Sequence, residues 1–135
     1  IKDKGLESHF NFLGSFPSTE MPKFFSHANA LLVSLKKDKI FSLTIPAKIQ
    51  SYLACGKPII ASIDGEGAKI VKDAKCGVTS PAEDSILLSN VIKELMSLDK
   101  SILNDMGNNG KAYYKKEFGK GLLINKLEDI LNSNY

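Results

Sequence analysis

At 135 residues with 43% apolar composition, the chain is sized for one domain with a real core. It has no apolar run of membrane-spanning length and no opening basic-then-apolar signal segment. The net charge of +3 is modest and every basic residue is lysine. Without arginine the planar two-pronged grip on base edges is missing, and the lysines are scattered, which argues against nucleic acid as a partner. Cys55 and Cys76 each sit beside a glycine with no CxxC spacing and no histidine cluster, so they read as buried free thiols, not as a disulfide or metal site. The default expectation is a cytoplasmic domain, and the opening Ile1 suggests a start inside a longer protein.

Taken in order, Phe10 to Leu13 is a short buried-strand candidate ended by Gly14, with His9 opening it. Ser18 or Thr19 can cap a helix from about Glu20 to Ala28, with Met21, Phe24 and Phe25 as its apolar stripe and His27 near its end. Ala30 to Leu35 is short, apolar and β-rich, as a fully buried strand should be. Lys36 to Thr44 reads as loop. Further on, Asp64 to Gly67 is a loop feeding a short helix with Ile70 and Val71 inward, stopped at Gly77, and Val78-Thr79 is a brief strand. Ser80-Pro81-Ala82-Glu83 has the spacing of a capping box with proline at the first helical position. The helix behind it carries Leu87/Leu88, Val91/Ile92 and Leu95 on one face. A second spans roughly Ser101 to Glu117 with Leu103, Met106, Gly110, Tyr113 and Tyr114 spaced for packing. Gly119 and Gly121 break that pattern before a final amphipathic helix bearing Leu123, Leu127, Ile130 and Leu131.

The central stretch is Ile45 to Ala61. Pro46 suits a first helical position and Gly56, with Pro58 behind it, suits a left-handed exit. Ile49, Tyr52 and Leu53 form an apolar face; Ala47, Ser51 and Ala54 form a small-residue face. Ile59 to Ala61 then reads as a buried strand. Lys48 falls in the first turn, where the helix dipole is positive and N–H groups are free. A cation there is mildly unfavourable unless an anion arrives. On the residues alone, a surface lysine bent into water explains it more simply.

Strands alternating with helices, each strand continuous and apolar, predict an α/β fold with a Rossmann-like parallel sheet covered by helices on both faces. Ligands in such sheets bind outside the carboxyl ends of the strands. That rule places Gly14 to Pro17, Ser34 to Thr44 and Ser62 to Gly67 on one edge, beside the Pro46 helix.

The run Pro46-Ala47-Lys48 followed by Tyr52-Leu53-Ala54-Cys55-Gly56-Lys57-Pro58-Ile59-Ile60 resembles the donor-binding helix of GT-B glycosyltransferases of the family 4 type. Phe12 to Phe16, Glu20 to Pro22 with Phe24-Phe25, Ala28 to Ala30, Cys76 to Val78 with Pro81 to Asp84, Met106-Gly107 and Tyr113 to Phe118 resemble its other segments, so nearly the whole chain is covered. The closest branch is the bacterial L-fucosamine transferase type of surface-polysaccharide synthesis. The resemblance implies residues 1–135 to be the donor-binding, C-terminal half of a GT-B enzyme whose N-terminal acceptor domain lies outside them. The donor would be a nucleotide diphospho-sugar, UDP-linked, and the acceptor a lipid-linked polysaccharide precursor such as that of O-antigen or capsule. Ser15 and Phe16 would hold the base, and Thr44, Ile45, Pro46, Ala47 and Lys48 would meet the diphosphate. The family's glutamate pair falls on Leu43 and Ser51, of which only Ser51 is polar; Glu66 is a candidate carboxylate from the next loop, with an equally good structural role at a helix start. No cofactor and no metal are implied, and no catalytic residue is assigned within these residues, which are expected to be inactive alone. The clusters Lys36-Lys37-Lys39 and Lys111-Lys115-Lys116 leave open a peripheral contact with the cytoplasmic face of the inner membrane, though solvated faces explain them equally well. The rival readings are a GT-B sugar-nucleotide epimerase domain and a non-catalytic flavodoxin-like module.

Overall fold

The strand Ile59–Ser62 (β2) is buried at all four positions and sits at the centre of the sheet. In a computed structural model, which describes residues 1–133, it pairs in parallel with Leu31–Ser34 (β1) on one side and Gly77–Ser80 (β3) on the other. Register aligns Leu32, Ile60 and Val78 on one face, and Val33, Ala61 and Thr79 on the other. Among the described residues no further strand pairs with either edge. The α-helices among the described residues are α1 (Met21–His27), α2 (Lys39–Ser42), α3 (Ala47–Cys55), α4 (Glu66–Asp73), α5 (Ser85–Ser97), α6 (Lys100–Glu117) and α7 (Lys120–Ser133).

The core fills the face carrying Val33 and Ala61. Ile49, Tyr52 and Leu53 of α3 and Ile70 and Val71 of α4 pack there with Leu31, Ile59 and Cys76. Their period of three to four on each helix is the reason those helices lie flat on the strands. On the opposite face α5 covers β3 and β2 but not all of β1, so Leu32 stays half exposed while Leu31 and Val33 are buried. Helices lie on both faces of the sheet, as expected, but β1, expected to be fully buried, alternates instead, with Leu32 and Ser34 exposed.

Several local expectations also change. Residues 10–13 form no strand; Phe12 is 81% exposed, because a strand exists only through ladder partners and neither sheet edge reaches it. His9 ends a 3-10 turn, Glu7–His9. Neither Ser18 nor Thr19 caps α1; they form a 3-10 turn, Ser18–Glu20, which runs into it. The expected loop 36–44 contains α2, whose Asp38 side chain accepts from the amides of Ile40 and Phe41. Pro46 is the residue before α3, with extended backbone, so Ala47 takes the first helical position. Gly56 ends α3 with φ of 67°, as its lack of a Cβ allows. Helix α4 ends at Asp73, not Gly77, which instead opens β3.

The capping box at Ser80 does not form. Ser80 finishes β3, Glu83 has φ of 62°, and Asp84 caps α5 by accepting from Leu87 N at 2.8 Å. A pairing partner for Ser80 in β2 outcompetes its use as a cap, and the next acidic residue takes over.

Candidate functional site

The carboxyl ends of β1, β2 and β3 point to one edge, and the amino end of α3 is held there by two close contacts. Gly65, with φ of 72°, lies against the carbonyl of Ser42, and Gly67 lies against Pro46, Ile49 and Ile63. A side chain at Gly65 would meet backbone, which explains why glycine stands there. The starts of α3 and α4 are consequently neighbours, and no side chain caps either. Glu66, exposed in the first turn of α4, supplies a negative charge to its own helix. The first turn of α3 carries no acidic residue; it carries Lys48.

Ala47, Lys48 and Ser51 open onto a cleft of about 740 Å³ between α1, α3 and α6. Its other wall includes Ser18, Met21, Pro22 and Phe25 from α1 and the turn before it, with Cys55 and Tyr114 toward the far end. Lys48 and Ser51 are exposed. The Ser51 hydroxyl donates to the Ala47 carbonyl at 3.2 Å and keeps its acceptor capacity for an incoming group. The floor is firm. Tyr52 stacks edge-on against Phe25 with centroids 5.1 Å apart, and its hydroxyl donates to Leu32 O at 3.3 Å, so it satisfies a carbonyl on β1. Burial raises the Tyr52 pKa above the usual phenol value. The Cys55 thiol is also raised, chiefly by burial and against the pull of Lys111, so it is a weak nucleophile.

The remaining expected residues lie outside this cleft's lining. Ser15 and Phe16 are exposed, with Phe16 packed on Phe24 at 4.6 Å. The Thr44 hydroxyl is turned to Phe41 O at 3.3 Å, and Ile45 is exposed. Pro46 and Glu66 sit at the two helix starts rather than inside the cleft. Sequence reasoning missed Ser18, Cys55 and Tyr114 as cleft residues and assigned Met21 and Phe25 to packing alone. Their helical spacing is visible in the sequence, but the meeting of α1, α3 and α6 is not. His27 is engaged with Lys23 O at 2.8 Å and His9 with the Ser8 hydroxyl. Among the described residues no group of three or more His, Cys, Asp or Glu is assembled to hold a metal. None of the described helices is long and apolar enough to cross a membrane.

A three-stranded parallel sheet flanked by helices, with the start of α3 at the carboxyl edge of the strands, defines a Rossmann-like α/β domain. Residues 1–113 match the family described as glycosyl transferases group 1, and the chain belongs to that family. Sucrose-phosphate synthase from Thermosynechococcus elongatus has a similar structure, with a TM-score of 0.75 and 21% identity over 99% of this chain. That likeness gives the fold as the α/β half of a GT-B architecture; this chain spans 33% of the synthase chain. Comparison with curated proteins gives no match.

Proposed function

We propose that this chain is the donor-binding half of a glycosyltransferase that moves a sugar from a nucleoside diphosphate, UDP in the first instance, to a lipid-linked acceptor. The observation that carries the reading is the cleft in which Lys48 and Ser51 share one helix face beside an uncapped helix start, in a chain of the glycosyl transferase group 1 family. The free N–H groups of α3 and the Lys48 ammonium would receive the diphosphate. Ser51 would meet a ribose hydroxyl, with the base along the wall of Met21 and Phe25 or across the opening toward Ser15 and Phe16. As the sugar departs, negative charge grows on the leaving phosphate, and preorganised donors that need not move stabilise it most there. Thr44 to Pro46 would set the approach to that helix start, and Glu66, at the neighbouring one, would be the carboxylate offered to a donor hydroxyl group.

The acceptor would be held by a second domain, so the 135 residues alone should turn over no donor. The finer identity of the sugar, N-acetyl-L-fucosamine or a related amino sugar on a surface-polysaccharide precursor, belongs to the proposal and is supported by the motif resemblance. Leu43 and Ser51 also leave both positions of the usual glutamate pair without a carboxylate, which fits a branch that recognises its donor differently.

Calorimetric titration with UDP, dTDP and GDP tests the donor reading directly. UDP should bind, and Lys48→Gln should weaken it about tenfold, the scale of one charge-assisted contact. Lys100→Gln, outside the cleft, should leave it unchanged. Silence toward all three nucleotides, with binding of a flavin instead, would favour the flavodoxin-like module and sink the proposal.

A further inference from the structure

Small residues stand on the face of α3 that lines the cleft: Ala47, Ser51 and Ala54. Gln50 lies among them, three residues after Ala47 and four before Ala54, so its neighbours one turn away on either side end at Cβ. Its long side chain is therefore left uncovered by its own helix, half-buried in the cleft lining. The other polar side chains there are committed or one-sided. Tyr52 donates to Leu32 O and Ser51 to Ala47 O; the Lys48 ammonium only donates, and Ser18 has a single hydroxyl. The Gln50 carboxamide has no hydrogen bond among the described residues, and it holds a donor and an acceptor side by side in one plane. Across the cleft, Met21, Pro22 and Phe25 form an apolar wall.

A planar carboxamide opposite an apolar wall matches a flat heterocycle whose edge sets N–H beside C=O. The ring face meets the wall, and the edge pairs twice with the amide. The position fits as well: Gln50 lies about 4.5 Å along the helix axis from Ala47, past the phosphates proposed for the amino end and beside the ribose proposed for Ser51. Resting on the donor-site reading above, we infer that Gln50 reads the base of the nucleoside diphosphate. Its carboxamide oxygen accepts from N3–H of uracil, and its NH2 group donates to the adjacent ring carbonyl. The base then lies along Met21 and Phe25, not on the Ser15 and Phe16 side. A base whose edge cannot pair twice leaves the amide half-paired in a partly desolvated cleft, a larger loss than that of one apolar contact.

Calorimetry on the chain with UDP and with N3-methyl-UDP tests the contact from the ligand side, where the fold is not touched. The methyl group removes the N–H, and the parent should bind N3-methyl-UDP about tenfold more weakly than UDP. Gln50→Leu should bind UDP about tenfold more weakly and lose the distinction between the two ligands, the coupling expected of groups that touch. Its affinity for inorganic pyrophosphate, which fills the phosphate end alone, should equal that of the parent. Gln50→Glu sets a carboxylate against a uracil carbonyl but against two N–H donors on the edge of guanine, so preference should move from UDP toward GDP. A methyl penalty that survives in Gln50→Leu would overturn the role of Gln50 and leave the donor site standing. So would unchanged UDP affinity in that variant while Lys48→Gln still weakens binding. Silence of the parent toward UDP would overturn both.

Discussion

Gly107 and Gly110 lie one turn apart on α6, and both are buried, yet their tolerances should differ. A Cβ on Gly107 would strike the Gly56 carbonyl, which ends α3, whereas one on Gly110 would reach Cys76 Cβ and Leu53 at 3.4 Å, ordinary contact. Gly107→Ala should therefore cost about 2 kcal/mol or more through overpacking. Gly110→Ala should stay within about 1 kcal/mol of the parent, since the helical preference for alanine offsets any crowding. Urea unfolding separates the two. Cys76 provides a pH prediction. Burial raises its thiol pKa from 9.0 to about 11, so the folded state holds this proton more tightly than the unfolded chain. That contribution is intact below pH 9 and is lost as pH rises through 11, by on the order of 2–3 kcal/mol. Cys76→Ala should lower stability at neutral pH but flatten the decline between about pH 8 and 11, measured by urea midpoints across that range.

At the scale of elements, two helix starts differ in how they are closed. Helix α5 depends on the Asp84 cap, so Asp84→Ala should cost about 1 kcal/mol, seen as a lower denaturation midpoint with an unchanged slope. Glu83→Ala should cost less through lost electrostatics, yet Glu83→Gly should stabilise, because its φ of 62° suits glycine. Helix α3 has no side-chain cap, and its start is where the proposed diphosphate would bind. The capping-box spacing at Ser80 shows how a local motif yields to tertiary demand: β2 needs a neighbour along Ser62, and Ser80 supplies it. Likewise the apolar run Phe10 to Leu13 has strand composition but no edge to join.

For the whole molecule, ligand binding should appear as stability. If UDP binds only the folded chain, a concentration about a hundredfold above Kd should add about 2.7 kcal/mol, and the thermal midpoint should rise with UDP concentration. Lys48→Gln should reduce that rise while leaving the ligand-free midpoint close to the parent, since Lys48 is exposed and forms no core contact. The open side of β1 and the exposed face of α7, with Leu123 and Leu127 each about half exposed, leave apolar surface that the core cluster does not cover.

The sequence by itself determined the alternation of strands and helices, because buried strands and amphipathic helices carry different hydrophobic periods. It also determined the Gly56 exit of α3, which demands a residue free of a Cβ, and the inward faces of α3 and α4. Tertiary structure alone decided which of those elements meet. It laid α1 and α6 along α3 to make the cleft, seated Gly65 and Gly67 against the start of α3, and left Phe10 to Leu13 unpaired. Those outcomes depend on backbone approach and edge partners between segments far apart in the chain, which no local period records.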